Sequence, residues 1–134
     1  MNSDICFDDL GIPYIPAKRV KGCLREGADT LINMGIDDFT DDLLKMFGDE
    51  NNQGTLQFEN LLIQGSSAIR AGLQAQQSGN APIGTVGVGS WITAENVAAC
   101  FTTLRSQTAI NEDGYAKDNS LRVSRVLKRG LVFE

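Results

Sequence analysis

The sequence predicts a single domain of the α+β class over residues 1–134, and three observations support this prediction. Apolar residues recur at helical spacing over residues 17–34 and again over residues 93–104. Strand-like patterns occupy residues 55–63 and 121–134. No internal repeat and no clear division into two domains accompanies this mixture of helices and strands. A mixed fold without repeated strand–helix units is typical of the α+β class.

Residues 1–16 are predicted to be rich in turns, because Gly11, Pro13 and Pro16 disfavour a helix. Pro16 then starts a helix over residues 17–34. Apolar residues of this helix follow the i, i+3, i+4 rule and predict one buried stripe. The stripe consists of Val20, Cys23, Leu24, Ala28 and Leu31.

A second, short helix is predicted over residues 37–47, capped by Thr40 and ended by Gly48. A turn over residues 49–54 leads from this helix into the strand-like segment 55–63. We then predict a helix over 66–77 and a Gly-rich connection over 78–90. A helix over 93–104, capped by Thr93, comes next. It is followed by strands over 107–110 and 121–134, the second of which turns at 128–130.

Composition excludes several classes of chemistry. The chain has no histidine, which excludes Ser-His-Asp and Cys-His nucleophilic systems and any imidazole general base. Its three cysteines, Cys6, Cys23 and Cys100, are odd in number and scattered, so we expect reduced thiols, no zinc site and a cytoplasmic location. Cys23 and Cys100 lie on apolar stripes and are predicted to be buried. No apolar run is long enough for a membrane span.

Charge is unevenly distributed along the chain. The net charge is −5, but residues 17–25 hold four cations and no acid, whereas residues 26–50 hold eight acids and only Lys45 as a cation. Basic residues return from Arg105 onward. A protein that is acidic on average can still bind a polyanion at such concentrated basic segments.

The cations of the first predicted helix occupy an unusual position. Lys18, Lys21 and Arg25 share the face opposite the apolar stripe. Cations in the first turns of a helix oppose its macrodipole, at a cost of roughly 0.3–1 kcal/mol each. A phosphate bound by the cations and the unpaired amides at this end would offset that cost. The alternative is a solvated basic face that tolerates the small penalty.

A known signature surrounds these cations. The run Gly11-Ile12-Pro13-Tyr14-Ile15-Pro16, followed by Lys21-Gly22 and Arg25, resembles the signature of the RAMP superfamily. These proteins are the ferredoxin-like, RNA-binding subunits of CRISPR type III effector complexes. The family pattern reads P-Y-I-P-G-S-S-x-K-G-x-x-R, and this chain has Ala17-Lys18-Arg19 in place of Gly-Ser-Ser. The departure exchanges two hydroxyl donors for two cations.

Later segments resemble the same family in the same order. The segments Met46-Phe47-Gly48 and Gly54-Thr55-Leu56, with Phe58, are similar to the family's F-G…G-x-L-x-F-x-D stretch. Residues 108–133 look like its T-A-I-D…G-x-A…L-R…V…G…F block, which forms a thumb hairpin in relatives. The resemblance therefore implies a partial ferredoxin-like (RRM-like) RAMP domain with a thumb-like hairpin near the C-terminus, closest to the type III-D-like subunits.

The resemblance implies that the chain binds the backbone of a guide RNA (crRNA) within an effector complex. Its partners would be the crRNA, the target RNA, and the other RAMP and large subunits. The residues implied to contact RNA are Lys18, Arg19, Lys21, Gly22, Arg25, Arg105, Tyr115, Lys117 and Arg122. Four phosphate contacts to a single strand would make the logarithm of the binding constant fall with the logarithm of salt at a slope of roughly −2.8.

Two other functions remain open at this stage. Some relatives cleave target RNA with an aspartate upstream of the P-Y-I-P run, and Asp4 is the best positional match for a Mg²⁺-dependent endoribonuclease. Asp8 and Asp9 are interpreted as turn-forming residues before Gly11. The third function is a protein–protein module whose basic face docks on an acidic partner without RNA affinity.

The chain is also expected to lack the first strand and the C-terminal half of longer RAMP proteins. A sheet without its first strand exposes an unpaired edge. We therefore expect the chain to self-associate or to pair a strand with a partner chain.

Overall fold

The structure is a computed structural model that describes residues 5–36, 39–78 and 92–134. These residues form both helices and strands, as the sequence predicts for the α+β class. The helices are α1 (Ala17–Asn33), α2 (Thr40–Phe47), α3 (Ser66–Gln77) and α4 (Ala94–Phe101). The strands are β1 (Cys6–Phe7), β2 (Pro13–Ile15), β3 (Leu61–Leu62), β4 (Thr102–Gln107) and β5 (Arg122–Leu127).

The chain folds as two compact units. The first contains the chain up to Tyr14 together with everything from Leu62 onward, and the second contains residues 15–61. Strands β1, β2 and β3 form a three-stranded sheet in that order, and β4 pairs with β5 in a separate two-stranded sheet. Strands β1 and β2 are antiparallel, with Cys6 opposite Tyr14.

The core of the first unit brings residues next to the short strands together with residues of helices α3 and α4. Leu10, Ile12, Ile63 and Val97 are buried there. Partly buried apolar side chains surround these four; they are Ile69, Leu73, Ile92, Phe101, Leu131 and Phe133. Apolar residues from both ends of the sequence thus contribute to one core.

The C-terminal residues close the first unit. The N–H of Glu134 donates to the carbonyl of Leu62, the N–H of Leu62 donates back to Glu134, and both distances are 2.8 Å. Gln64 donates in the same way to Val132 at 2.9 Å. The strand predicted over 121–134 is therefore two segments, β5 and a short stretch paired beside β3. The predicted turn at 128–130 separates them and is confirmed, with Gly130 at φ +91°.

Helix α4 is shorter than the sequence predicts. It begins after Thr93, whose side chain accepts a hydrogen bond from the Asn96 N–H as predicted, but it ends at Phe101. The prediction of helix up to Leu104 is wrong. Because Thr102 and the residues after it pair with β5 over six positions, inter-strand hydrogen bonds replace the helical ones. Helical periodicity alone does not detect that competition.

The second unit packs α1 against α2. Leu43 and Phe47 of α2 are buried, and Phe47 stacks on Phe58 with ring centroids 5.9 Å apart. Thr40 is the first residue of α2, whereas Phe39 occupies the N-cap position, which corrects the predicted cap. Residues 37 and 38 of the predicted helix lie outside the described residues.

The burial of α1 differs from the predicted stripe. Half-buried positions of this helix include Ala17, Lys21, Arg25, Ala28 and Ile32, which recur at helical spacing. Of the predicted stripe only Val20 and Ala28 are half-buried. Cys23, Leu24 and Leu31 are exposed, so the expectation of a buried Cys23 is wrong, and Cys100 is exposed as well. Arg25, on the inner face of α1, donates a hydrogen bond to the Gly48 carbonyl of the second unit, which an apolar side chain could not do.

Candidate nucleic-acid interface

Basic residues concentrate in two regions, one in each unit. The α1 basic end consists of Lys18, Arg19, Lys21 and Arg25. The basic hairpin consists of β4, β5, the connection between them and the turn at 128–130.

The α1 basic end begins at Pro16, whose extended backbone (φ −61°, ψ 140°) precedes the helix without a side-chain cap. The Ala17 N–H donates to Oδ1 of Asn60 at 2.8 Å, and the Arg19 N–H donates to the Pro16 carbonyl at 2.9 Å. The N–H of Lys18 lies in the first turn, where a helix offers no acceptor. No acid lies in that turn. Attraction of an anion to this end therefore depends more on the side-chain cations than on unpaired amides.

Arg25 differs from the other three cations. Its Nη1 donates to the Gly48 carbonyl at 3.1 Å in a half-buried position. Gly48 ends α2 with φ +81°, so Arg25 places a positive charge at the negative end of that helix. Hydrogen bonds from Asn51 and Asn52 lower the pKa of Asp49, and the nearby charge of the Arg25 guanidinium makes a smaller contribution in the same direction. Arg25 is accordingly a positioning residue for the loop that follows α2.

Exposure separates the remaining residues of this end. Lys18 and Arg19 are exposed and Lys21 is half-buried. Gly22 is also exposed, and a β-carbon there would meet no atom within 4 Å. Glycine in the middle of a helix is less favourable than alanine by about 1 kcal/mol. Packing in the described residues does not require glycine at this position, which leaves the backbone open to a close ligand.

The basic hairpin is an antiparallel ladder of six residue pairs, from Thr102 opposite Leu127 to Gln107 opposite Arg122. Because side chains alternate along a strand, Arg105 and Arg122 lie on one face, diagonal to each other across the ladder. Leu104, Val123 and Arg125 lie on the other face. The two strands and the closing turn carry five cations and no acid; these are Arg105, Arg122, Arg125, Lys128 and Arg129.

Tyr115 lies exposed at the tip of the hairpin. The Tyr115 N–H donates to Oδ1 of Asn111 at 2.8 Å, and its carbonyl accepts from the Asn111 N–H at the same distance. Gly114, at φ +84°, makes the turn between them. The Tyr115 side chain is 73% exposed. The Lys117 N–H donates to the Ala109 carbonyl at 2.8 Å, which holds the connection together ahead of β5. The exposed Tyr115 ring is available for stacking.

The aspartates considered for catalysis are not grouped as a site in the described residues. Asp4 lies outside them. Oδ1 of Asp8 accepts hydrogen bonds from the Leu10 and Ile12 N–H groups, both at 2.9 Å, which confirms its interpretation as a turn residue. Arg70 on α3 then pairs with Oδ2 of Asp8 and Oδ1 of Asp9, both at 2.6 Å.

Arg70 changes the acidity of this turn. Its hydrogen bond to Asp9 lowers the pKa of that carboxyl below its usual value, and the same bond raises the pKa of Arg70. Carboxylates paired in this way are poor ligands for Mg²⁺, so Asp8 and Asp9 do not fit a metal-dependent site. Within the three described ranges, no group of three potential metal-ligating side chains converges.

Sequence reasoning recognised only part of the basic hairpin as RNA-binding. It placed Arg125, Lys128 and Arg129 in the basic segment, but of the cations there it took only Arg105, Lys117 and Arg122 as RNA contacts. The signal was present, since residues 121–130 contain four cations and no acid. Because the sequence predicted a helix over 93–104, Arg105 was expected just after a helix rather than in a strand paired with β5. No sequence pattern links Arg70 with Asp8 and Asp9, which lie more than sixty positions away.

Comparison of the chain with models of known protein families, with curated proteins and with solved structures finds no match. No helix among the described residues combines the length and apolar character that crossing a membrane demands.

Proposed function

We propose that this protein binds RNA through its sugar-phosphate backbone, as a RAMP-type structural subunit of an RNA-guided complex. The observation that carries the proposal is the basic hairpin, whose strands and closing turn hold five cations without an acid. A bound polyanion relieves the repulsion between like charges on one small sheet. Phosphate contacts position a nucleic acid without reading its sequence.

The α1 basic end supports the same function. Lys18, Arg19 and Lys21 crowd a helix end with no acid in its first turn, where an anion relieves their repulsion with the macrodipole. Gly22, exposed and without packing neighbours, leaves room for a backbone to approach. These positions coincide with the P-Y-I-P…K-G-x-x-R resemblance. The hairpin with Tyr115 at its tip corresponds to the thumb in that resemblance, with an aromatic ring for base stacking.

Binding of a fluorescently labelled oligoribonucleotide, followed by anisotropy over a salt series, tests the proposal. Lys18→Glu/Lys21→Glu and Arg105→Glu/Arg122→Glu each remove two proposed phosphate contacts. We expect each double variant to weaken binding at low salt and to reduce the steepness of the log–log salt slope by about 1.4, which is roughly 0.7 per contact. Lys45→Glu is the control and should change neither quantity, because Lys45 is an exposed lysine of α2 that pairs with Asp42 and lies in neither basic region.

Two outcomes would contradict the proposal. One is wild-type protein that binds no oligoribonucleotide even in dilute buffer, which would favour the protein–protein module. The other is loss of affinity in proportion to the charge changed, with Lys45→Glu at about half the effect of each double variant, which would indicate a response to net charge alone. Purification from the native host should also yield a short RNA of constant 5′ sequence together with sister subunits.

A further inference from the structure

Helix α1 carries an exposed apolar face that its own unit leaves uncovered. At 100° per residue, an arc of about 100° contains no charged side chain. The arc consists of Val20, Cys23, Leu24, Gly27, Leu31 and Met34. Leu24 is 52% exposed, Leu31 43% and Met34 70%, whereas Val20 is half-buried. The face extends roughly 21 Å along the helix, at 1.5 Å per residue.

Gly27 lies at the midpoint of this face. Val20 precedes it by seven residues and Met34 follows it by seven. A β-carbon at Gly27 would meet no atom within 4 Å, so packing in the described residues does not explain a glycine in the helix interior, where it costs about 1 kcal/mol relative to alanine. A glycine at the point where two helices cross lets their backbones approach closely.

The charges on α1 select the orientation of a partner helix. Residues 17–25 carry four cations and no acid, whereas residues 26–33 carry Glu26 and Asp29 and no cation. A second copy in parallel register would set the basic half of each helix beside the basic half of the other, with Arg19 and Lys21 flanking the apolar face on its two sides. An antiparallel copy sets the basic half of each helix against the acidic half of the other and also opposes the two macrodipoles favourably.

From these features we propose that α1 pairs with α1 of a second copy of this chain, antiparallel about a two-fold axis at Gly27. The interface is isologous, so that Val20 of one copy lies level with Met34 of the other, and Cys23 with Leu31. Lys18 and Arg19 lie outside the apolar arc, so this contact does not depend on RNA binding. The pairing covers the apolar face that the second unit leaves open.

Disulfide trapping without RNA tests the two-fold axis. In the 134-residue chain with Cys6, Cys23 and Cys100 replaced by alanine, Gly27→Cys places one thiol at the proposed crossing, where two copies bring their Cα atoms within disulfide range. We expect oxidation to yield a covalent dimer at least about tenfold faster than in the matched Gly22→Cys protein, whose thiol lies about 140° around the same helix. Equal rates for the two proteins would overturn the proposal.

Oxidation can also trap a rare collision between two copies, so a second measurement tests whether the dimer is populated at equilibrium. Leu24→Glu/Leu31→Glu puts charges in the interface, whereas Asn33→Glu adds a charge to an exposed position outside it. Light scattering at increasing concentration should show a dimer for the wild type and for Asn33→Glu, and a monomer for the double variant with unchanged circular dichroism. Wild-type protein that stays monomeric throughout, or a double variant that still dimerises, would refute the pairing.

Discussion

At the scale of single residues, the main finding is that four similar cations on one helix have different roles. Arg25 is bound within the fold, because its guanidinium donates to the Gly48 carbonyl at the end of α2. Lys18 and Arg19 extend from the exposed side of α1. In sequence these residues look alike as cations of one helix, whereas the hydrogen bond to Gly48 distinguishes Arg25, which positions a loop of its own unit, from the exposed Lys18.

This difference predicts opposite effects for two substitutions. Arg25→Met keeps the aliphatic stem but removes the charged hydrogen bond, and it should lower the free energy of unfolding by about 1.5 kcal/mol. Lys18→Met should change that free energy by less than about 0.5 kcal/mol, as is usual at exposed positions, and reduce the steepness of the RNA salt slope by about 0.7. Urea unfolding and anisotropy titrations measure the two quantities. A stable Arg25→Met protein would show that the bond to Gly48 contributes little.

At the scale of elements, the loop after α2 depends on two glycines whose backbones nearly touch. Gly48 adopts φ +81°, and a β-carbon there would overlap the backbone of Asn52 and Gly54. A β-carbon on Gly54 would overlap Met46 and Phe47 in turn. Asp49 caps the intervening turn by accepting from the Asn51 and Asn52 N–H groups, at 2.8 and 2.7 Å. The F-G…G spacing noted in the sequence therefore has a steric cause.

Alanine scanning of the glycines should separate this steric cause from simple flexibility. We expect Gly48→Ala to lower the free energy of unfolding by 2 kcal/mol or more, about the cost of left-handed backbone strain plus a displaced loop. Gly22→Ala, in the exposed middle of α1, should raise it by about 0.5–1 kcal/mol. Thermal unfolding of the two variants in parallel provides the comparison. Equal, small effects would mean that the loop after α2 rearranges without penalty.

At the scale of the whole molecule, residues from the two ends of the chain complete one core. Phe133 and Leu131 pack against the buried cluster that includes Leu10 and Ile12. Hydrogen bonds between Leu62 and Glu134 hold the last residues beside β3. The last residues of the chain are therefore part of the first unit, and the basic hairpin is attached to that unit at both of its ends.

Shortening the chain tests this closure. Removal of residues 131–134 should expose the cluster around Ile63, destabilise the first unit by about 3 kcal/mol or more, and speed amide exchange in α3 and α4. Phe133→Ala is the milder version, because it keeps the backbone pairing with Leu62 and removes only the ring. Exchange rates in α3 and α4 that remain those of the full chain would show that the first unit does not depend on its C-terminal residues.

The sequence by itself determined the local features of this protein. Helix α1 begins after Pro16, α3 matches its predicted range, Thr93 caps α4 and Gly48 ends α2, because capping, propensity and turn chemistry depend on neighbouring residues. The α+β class follows from the same local patterns. The two basic segments were also visible, since charge is a property of composition.

Only the tertiary structure decided which surfaces those elements present. Strand pairing ended α4 at Phe101 and set Arg105 diagonal to Arg122, although pairing partners some twenty residues apart leave no helical or strand period to detect. The hydrogen bond from Arg25 to the Gly48 carbonyl fixes a basic side chain on the inner side of α1, whereas Leu24 and Leu31 are exposed. Arg70 pairs with the carboxylates of Asp8 and Asp9, which lie 62 and 61 positions away in the sequence. Such contacts form only when distant parts of the chain come together. Their energies determine which face of a helix or strand is buried, a choice that sequence periodicity does not make.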